Sequence, residues 1–517
     1  MYVLENLKFD TWTFLFIVRI QFNKLFGKSS AEPIFFIDAS IRAQTILINF
    51  SKRLNINFEK LHFDFYDLRD NKGVSIFLRI RSFDLLELRK VIRKNSYFQS
   101  AIELDNLSFF ERIFIEKQLT LGDPFTSGSV FKNQYLLQVA LWKARSIGQE
   151  RVVIVLNHRI WKNEISSHSA NQGVKIIWKG SFFNGRIEKS LRLLYRSIKH
   201  SCFNVFQFLY GMWLSILAKY KEHTFIVGKE EFFGDKKSVF KKPHARIAVP
   251  YHGNLNLDYP ELNSDLYFWH QSELSGEDIL VMFGLMQDPF DTEKDIQLKR
   301  YGFSAVGLSK KSTIIDTLPI FSYNERSGSK KTRAPVTFSI RNRECQWIKE
   351  KSQSFKRKYN YWKEFFELHN ARIYFNWYKH DAEHIVITAV LRDLGGISAI
   401  YQRSFQEFPY ASTTIVSDLV FNFAHFNANV ERDLESIIPY YVVTGFIGDY
   451  RFSLLQQPAM EIRKKLLKKG ATYILSYFDE NSIDDGRWAK SHDSMRLYYE
   501  FLIQKVLTEP SLGVIFK

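Results

Sequence analysis

The stretch TYILSYFDENSIDDGRW, from Thr472 to Trp488, joins a strand-like apolar run to a cluster of acidic side chains and one arginine. The run Tyr473–Phe478 predicts a buried strand, and Asp479, Glu480 and Arg487 come after it. The carboxyl ends of parallel strands are where α/β folds gather ligand-binding groups. There the guanidinium could clamp a phosphate and the carboxylates could accept hydrogen bonds from sugar or ribose hydroxyls. The alternative is a charged surface loop in which the arginine pairs with neighbouring acids.

A second pattern, HDAEH from His380 to His384, matches the H-x-x-E-H sequence of inverted zinc peptidases. With a helix predicted from His380 to Asp393, this spacing places both imidazoles on one helix face beside Glu383. Five residues specify a zinc site only weakly. The alternative, which we favour, is a polar helix start facing a cleft, where the two histidines bind an acceptor molecule without a metal.

A third group of polar residues follows a predicted strand at Ile397–Tyr401. Gly395 and Gly396 precede this strand and allow a close backbone approach at the turn from helix to strand. Polar side chains follow it at Gln402, Arg403 and Ser404, and Asp418 and Asp449 come after later strands or turns. We therefore expect several polar strand ends to converge on one crevice.

Motifs for gripping phosphates or a divalent metal are absent from the sequence. There is no GxxxxGK[ST], no GxGxxG after a strand and no D-x-D triplet. The sequence therefore favours metal-free chemistry with no bound cofactor.

The composition predicts a multidomain protein with an anionic partner. The chain has 517 residues, 45% of them hydrophobic and 16% aromatic, which is enough for more than one core. Its net charge of +17 favours nucleic acid, lipid headgroups or phosphorylated substrates. The aromatic residues fall at core-like spacings and are not interleaved with Lys and Arg, so no specific nucleic-acid partner is expected. The only cysteines, Cys202 and Cys345, are far apart, which fits a reducing cytoplasm.

One stretch, Ser201–Ala218, carries no charged residue and lies between Lys199 and Lys219. It contains polar residues, and positive charge on both sides leaves its orientation undefined. We predict a buried or interface-lying helix here, with a membrane span as the alternative. The apolar run Trp12–Val18 is flanked by charges and predicts neither a signal peptide nor a span.

The chain alternates short apolar runs with longer amphipathic stretches, which predicts an α/β fold with largely parallel sheets. A polar, basic loop is predicted at 324–335 and a C-cap glycine at Gly470. The predicted strands are 34–38, 60–65, 74–80, 151–156, 174–178, 372–377, 397–401, 473–478 and 512–516, and the predicted helices include one from about Trp161 and those at 344–369, 380–393, 456–469 and 491–507.

The carboxyl-terminal part resembles bacterial surface-carbohydrate biosynthesis proteins, which are GT-B-type glycosyltransferase-like chains of capsule or lipopolysaccharide assembly. The segments that carry the resemblance are LGGISAIYQRS (394–404), TIVSDLVFNF (414–423), YYVVTGFIGDYRF (440–452), YILSYFDEN (473–481), RW (487–488) and LGVIFK (512–517). Such enzymes have two Rossmann-like lobes facing a cleft, with the acceptor in the first and the nucleotide sugar in the second. The resemblance implies a leading α/β module at 1–125, a Rossmann-like acceptor lobe at 126–450, and the start of a donor lobe at 451–517 that is expected to be truncated.

The resemblance implies a cytoplasmic glycosyltransferase at the inner face of the plasma membrane. The surplus of positive charge would help to hold it on an anionic membrane surface. The enzyme would transfer a sugar from a nucleotide sugar, which is its substrate and not a cofactor, to a lipid-linked or polymeric glycan acceptor. The candidate bases are Asp381, Glu383, Asp418 and Asp449; the substrate-binding candidates are His380, His384, Gln402, Arg403 and Ser404 near the acceptor, and Asp479, Glu480, Arg487 and His492 near the donor. The alternatives are a non-catalytic glycan- or nucleic-acid-binding protein and, less favoured, a zinc peptidase.

Overall fold

A computed structural model describes most of the chain in two compact units. The described residues are 1–8, 11–25, 33–41, 43–45, 48–49, 56–63, 68–96, 98–100, 107–122, 129–179, 246–284, 288–323, 343–478 and 492–516. Unit one comprises the described residues of Met1–Leu61, Gln149–Lys162 and 172–179. Unit two comprises those of His62–Gly148 and Asn163–Asn171 and those from Arg246 onward.

Unit one is built on a five-stranded parallel sheet. Its strands are β1 (Tyr2–Leu7), β2 (Ile34–Ala39), β3 (Phe58–Lys60), β4 (Val152–Leu156) and β5 (Val174–Trp178), in the order β3-β2-β1-β4-β5. The interior strand β4 reads VVIVL and is buried at every position, as expected for a parallel strand covered on both faces. Helix α1 (Thr11–Leu25) packs Phe16 and Ile17 into the core of this unit.

Unit two is built on a seven-stranded parallel sheet. Its strands are β6 (Arg246–Pro250), β7 (Ile279–Phe283), β8 (Ser304–Gly307), β9 (Ala371–Asn376), β10 (Ile397–Tyr401), β11 (Leu419–Asn422) and β12 (Tyr440–Val443). The order across the sheet is β12-β11-β10-β9-β6-β7-β8. Strands β7 and β8 are therefore added on one side of β6, and β10, β11 and β12 are added in the opposite direction from β9. This doubly wound order is compatible with a Rossmann-like fold, and its switch point lies between β6 and β9.

The helices of unit two pack against this sheet or against one another. They are α2 (Ile76–Arg79), α3 (Leu85–Arg93), α4 (Phe109–Thr120), α5 (Val130–Ser146), α7 (Thr292–Arg300), α8 (Arg343–His369), α9 (Glu383–Asp393) and α10 (Phe426–Asp433), while α6 (Lys162–Ala170) follows β4. Helix α4 begins with a capping box between Ser108 and Glu111 and contacts both α8 and α9. Helix α9 buries His384 through Leu391 in a continuous run because it lies between α4, α8 and the sheet.

The last described residues form a small α/β piece: α11 (Tyr450–Lys468), β13 (Tyr473–Tyr477), α12 (His492–Thr508) and β14 (Leu512–Phe516). The two strands pair in parallel. Gly470 has φ +98°, which confirms the predicted glycine after the end of α11. Helix α11 buries none of its side chains, and large apolar side chains such as Phe452 and Phe501 are exposed.

The structure confirms an α/β fold with parallel sheets and corrects several local predictions. The predicted strand at 74–80 is helical, because Ile76 and Ile80 are both buried at a helical spacing of four. The helix predicted from His380 begins at Glu383. The boundary at 125 divides residues that fold together, since β1 pairs with β4 in one sheet.

Several predicted features lie outside the described residues: the stretch 201–218, the loop 324–335, and Asp479, Glu480 and Arg487. Among the helices that are described, none combines the length and apolar character needed to cross a membrane.

Candidate functional site

A group of polar side chains in unit two lies at the switch point of the seven-stranded sheet. There the chain leaves β6 through Tyr251 and His252 and leaves β9 through Asn376 and Trp377. The neighbouring strand β10 ends two residues before Arg403. In open α/β sheets the crevice at such a reversal is the usual ligand site, because adjacent loops turn in opposite directions there.

The hydrogen bonds of Asn376 fix the protonation pattern of His252. The Asn376 Oδ1 atom accepts from the backbone N–H groups of Trp377 (2.8 Å) and Tyr378 (3.1 Å). The same oxygen lies 2.8 Å from His252 Nε2, while Asn376 Nδ2 donates to the Tyr374 hydroxyl. Because that oxygen can only accept, Nε2 carries the imidazole proton. In the neutral ring Nδ1 is then the basic nitrogen, and no described residue donates to it.

The surroundings of His252 favour its neutral form. Burial lowers the pKa of His252 below its ordinary value of 6.5, and the charge of Arg403 lowers this pKa further. The hydrogen bond to Asn376 and the charge of Asp265 act in the opposite direction. The net effect is a ring that stays unprotonated at neutral pH and can accept a proton.

The loop that carries His252 is held by a buried carboxylate. Asp265 Oδ2 accepts from the backbone N–H groups of His252 (2.7 Å) and Asn254 (3.0 Å). Burial raises the pKa of Asp265, and these two donors offset part of the increase. Between them Gly253 has φ +106°, a conformation that favours glycine. The imidazole is therefore positioned by its own backbone loop as well as by Asn376.

The indole ring of Trp377 lies beside the imidazole of His252. Its ring centroid lies 4.8 Å from that of His252, and the Arg403 guanidinium carbon lies 4.4 Å from the Trp377 ring on which it stacks. Arg403 is exposed, and no described carboxylate lies within ion-pair distance of it. The indole N–H of Trp377 is buried without a hydrogen-bond partner among the described residues. An unpaired cation and an unused donor together suit an anionic or oxygen-rich ligand.

Lys117 of α4 holds the loop after β9 in place through hydrogen bonds. This fully buried ammonium group donates to the backbone carbonyls of Lys379 and Thr414, both at 2.7 Å. Burial lowers the pKa of Lys117 well below its ordinary value, against the charge of Asp381. The side chain of Lys379 pairs with Glu431 at 3.0 Å. These contacts fix the backbone two residues beyond Trp377.

Of the residues predicted after β10, Arg403 alone belongs to this group of side chains. Gln402 is buried and joins two strand ends, since its Oε1 accepts from Phe423 N (2.7 Å) and its Nε2 donates to Ser404 O (3.1 Å). The side chain of Ser404 is exposed. Gln402 therefore shapes the loop that carries Arg403.

The HDAEH residues are engaged in structural contacts. Glu383 accepts from Trp362 Nε1 (2.7 Å) and pairs with Lys358. His384 is buried, and burial together with the charge of Lys117 lowers its pKa to about 4. Asp381 lies 3.9 Å from His384 Nδ1, and His380 precedes the helix. Within the described ranges, no three His, Cys, Asp or Glu side chains are close enough to hold a metal ion.

The remaining predicted residues are spread over other parts of the chain. Asp418 precedes β11, at the amino edge of the sheet, where it pairs with Arg392 (2.6 Å) and accepts from Ser398. Asp449 lies beyond the carboxyl end of β12, at the start of α11. His492 is exposed at the start of α12. The structure thus brings together fewer strand ends than the sequence predicted.

Sequence reasoning missed His252, Asp265 and Asn376. The strand β6, RIAVP, was not predicted, although the polar residues YHGN that follow it would have marked a strand end. Asn376 and Trp377 closed a predicted strand but were assigned no role. The pairing of β6 with β9 brings these distant residues together, and no local sequence pattern indicates it.

The site combines a basic nitrogen, an unpaired cation and an aromatic ring. The basic nitrogen can remove a proton from a hydroxyl, and the cation can bind a phosphate. The aromatic ring can stack on a sugar or another planar group. The chain matches no protein-family model and aligns significantly with no curated protein.

Proposed function

We propose that the protein is a glycosyltransferase whose switch-point site in unit two activates the acceptor hydroxyl. The observation that carries this proposal is a neutral His252 with an available Nδ1 beside the unpaired Arg403. Two Rossmann-like parallel sheets in one chain are compatible with it. So is the resemblance of 394–517 to surface-carbohydrate glycosyltransferases.

In the proposed reaction, His252 Nδ1 takes the proton of an acceptor hydroxyl as its oxygen attacks the anomeric carbon of a nucleotide sugar. The new bond is between the acceptor oxygen and that carbon. The bond between the carbon and the diphosphate oxygen breaks, and the nucleoside diphosphate leaves with the electron pair. The imidazolium that forms keeps its Nε2–H bond to Asn376 and later releases the proton to water.

The donor side of the proposal rests on the resemblance. Asp479, Glu480, Arg487 and His492 remain predicted contacts of the nucleotide sugar. The acceptor is a lipid-linked or polymeric glycan, and the net charge of +17 would hold the protein on an anionic membrane surface at the cytoplasmic side.

The test uses the full chain and a panel of UDP-, GDP- and dTDP-hexoses, with release of nucleoside diphosphate as the readout. We expect release from at least one donor, either to an added acceptor or to water. His252→Gln should lower kcat by about 10²- to 10⁴-fold, the usual contribution of a general base, with the donor KM unchanged. His62→Gln, which alters an exposed histidine of the same unit, is the matched control.

Full activity of His252→Gln would show that another group is the base. No release from any donor would contradict glycosyl transfer. Binding to glycans without turnover would then favour the non-catalytic alternative, and salt-sensitive binding to arbitrary DNA or RNA would favour a nucleic-acid-binding protein.

A further inference from the structure

A cavity in unit two lies between α3, α4 and the segments that lead into β11 and β12. Its volume is about 280 Å³, just below the range of about 300–1,000 Å³ that is typical of drug-sized ligands, so it suits a small molecule. Neither His252 nor Arg403 lines it, so it is separate from the proposed catalytic site. Its lining includes four basic side chains, which are Arg89, Arg93, Arg112 and Lys117.

The carboxylates of the lining compensate this positive charge only in part. Glu116 and Glu435 both pair with Nη2 of Arg93, at 2.7 and 2.8 Å. Arg89 shares Glu435 at 3.3 Å, and the Nε atom of Arg112 lies 3.8 Å from Glu116. Three guanidinium groups therefore share two carboxylates, and the lining keeps at least one net positive charge.

The charge of Arg89 is unfavourably placed, because its side chain is only 3% exposed. It lies one helical turn before Arg93, a spacing at which like charges destabilise a helix. Burial lowers the pKa of Arg89, the charge of Glu435 opposes this effect and the charge of Arg93 adds to it. A bound anion would offset both the burial of this charge and its repulsion from Arg93.

The same guanidinium groups have hydrogen-bond donors without acceptors. The Nε atoms of Arg89, Arg93 and Arg112 are each buried with no hydrogen-bond partner among the described residues. The side chain of Arg112 makes no hydrogen bond within the described ranges, and its guanidinium carbon lies 5.9 Å from the centre of the Phe109 ring. Buried donors without partners are rare in native proteins, and a bound oxyanion would supply acceptors to this cluster.

The directions from which the cations come favour a phosphate group over a carboxylate. Arg89 and Arg93 belong to α3, whereas Arg112 belongs to α4. A phosphate monoester presents three acceptor oxygens and about 1.5 to 2 negative charges, so it can bind guanidinium groups from two helices at once. A carboxylate presents two oxygens in one plane. Phe109 and Ile113 also line the cavity and suit the carbon skeleton of an organic ligand.

We propose that this cavity binds a small phosphorylated organic molecule, with its phosphate group held by Arg89, Arg93 and Arg112. The proposal concerns a second site of unit two and does not depend on glycosyl transfer. Because the site is assembled from two helices and two connecting segments, it exists only in the folded chain. The ligand should therefore also stabilise the protein against unfolding.

The test measures binding of glycerol 3-phosphate, inorganic phosphate and glycerol by calorimetry. The full chain carries Arg403→Gln throughout, so that phosphate binding at the switch point does not contribute. We expect glycerol 3-phosphate to bind about 3-fold or more tighter than inorganic phosphate, and glycerol to show no measurable binding. Saturating glycerol 3-phosphate should also raise the unfolding temperature of the chain.

Two variants of the lining should change the affinity in opposite directions. Arg112→Gln removes a side chain that is 43% exposed, so the fold can accommodate it, and should weaken glycerol 3-phosphate binding about 10-fold or more. Glu435→Gln removes a competing carboxylate and should strengthen binding about 3-fold or more. Arg463→Gln, at an exposed position of α11 outside the lining, is the matched control and should leave binding unchanged.

Absence of binding of both phosphate compounds would overturn the proposal. Equal affinities of Arg112→Gln and Arg463→Gln would also overturn it, because the phosphate would then respond only to the general positive charge or bind elsewhere. Weaker binding in Glu435→Gln would show that the charged cluster only holds the helices together. Inorganic phosphate that binds as tightly as glycerol 3-phosphate would contradict an organic ligand.

Discussion

At the scale of single residues, the site depends on which nitrogen of His252 holds the proton. The amide of Asn376 cannot rotate by half a turn without placing its NH₂ group against two backbone N–H groups. This arrangement keeps the oxygen facing Nε2. A neutral histidine in this tautomer is suited to accept a proton and poorly suited to carry a fixed positive charge.

Asn376→Asp tests this arrangement with a change of almost no volume. The new carboxylate would still accept both backbone N–H bonds, and the Tyr374 hydroxyl could reverse to donate to it. Its negative charge favours the imidazolium, so the pKa of His252 should rise, by about one unit or more. Activity requires the neutral ring and is lost as pH falls through this pKa.

The acidic limb of kcat/KM for nucleoside diphosphate release should therefore move to higher pH in Asn376→Asp. An unmoved limb would contradict the assignment of His252 as the base. Thermal unfolding of the variant separates this effect from misfolding.

The predictable part of the site at this scale is Arg403, because it follows a strand that the sequence marks clearly. His252 lies more than a hundred residues before Asn376, and their contact depends on strand order. Strand order is set by long-range packing, which leaves no periodic pattern in the local sequence.

At the scale of elements, apolar runs bounded by glycine or proline were predicted well. The predicted strands 397–401 and 512–516 match the observed bounds, and Gly395–Gly396 or Pro510 stands before each of them. The prediction of a strand at 74–80 was wrong, because a short apolar run fits a buried helix as well as a strand. Ile76 and Ile80 favour the helix, and their burial reflects packing with helices that are distant in sequence.

Gly395 and Gly396 provide a matched pair for testing the turn before β10. A Cβ on Gly396 would lie 2.4 Å from the Arg372 carbonyl oxygen, so Gly396→Ala must displace backbone. A Cβ on Gly395 meets nothing within 4 Å, but φ is +68° there. We expect Gly395→Ala to cost about 1 kcal/mol of unfolding free energy and Gly396→Ala about 2 to 3 kcal/mol.

Urea unfolding of both variants measures this difference. Equal costs, or a larger cost for Gly395→Ala, would show that the close approach of Gly396 to β9 is not maintained.

At the scale of the whole molecule, the chain interleaves its two units. Residues 62–148 lie between β3 and β4 of unit one in sequence but fold with unit two. A sequence prediction assumes that consecutive elements pack together, so it placed a boundary at 125 and joined β4 and β5 to the later strands. The α/β class was predictable from the alternation of elements. The folding of residues 62–148 with unit two was not.

The surplus of positive charge is a property of the molecule as a whole and not of the site. The switch-point cluster contributes one unpaired cation, Arg403. The net charge of +17 acts over a longer range, and in the proposed function it would attract the protein to an anionic membrane surface.

The most direct test of the central claim is the pH dependence of His252 modification by diethyl pyrocarbonate, which reacts only with an unprotonated imidazole nitrogen. Mass spectrometry of the peptide that contains His252 gives its rate from about pH 5 to about pH 8 in the native and the denatured chain. We predict modification in the native chain with a midpoint below 6.5, and a midpoint near the ordinary value of about 6.5 after denaturation. A native midpoint at or above the denatured one, or a native His252 that does not react, would contradict a neutral histidine with an available basic nitrogen.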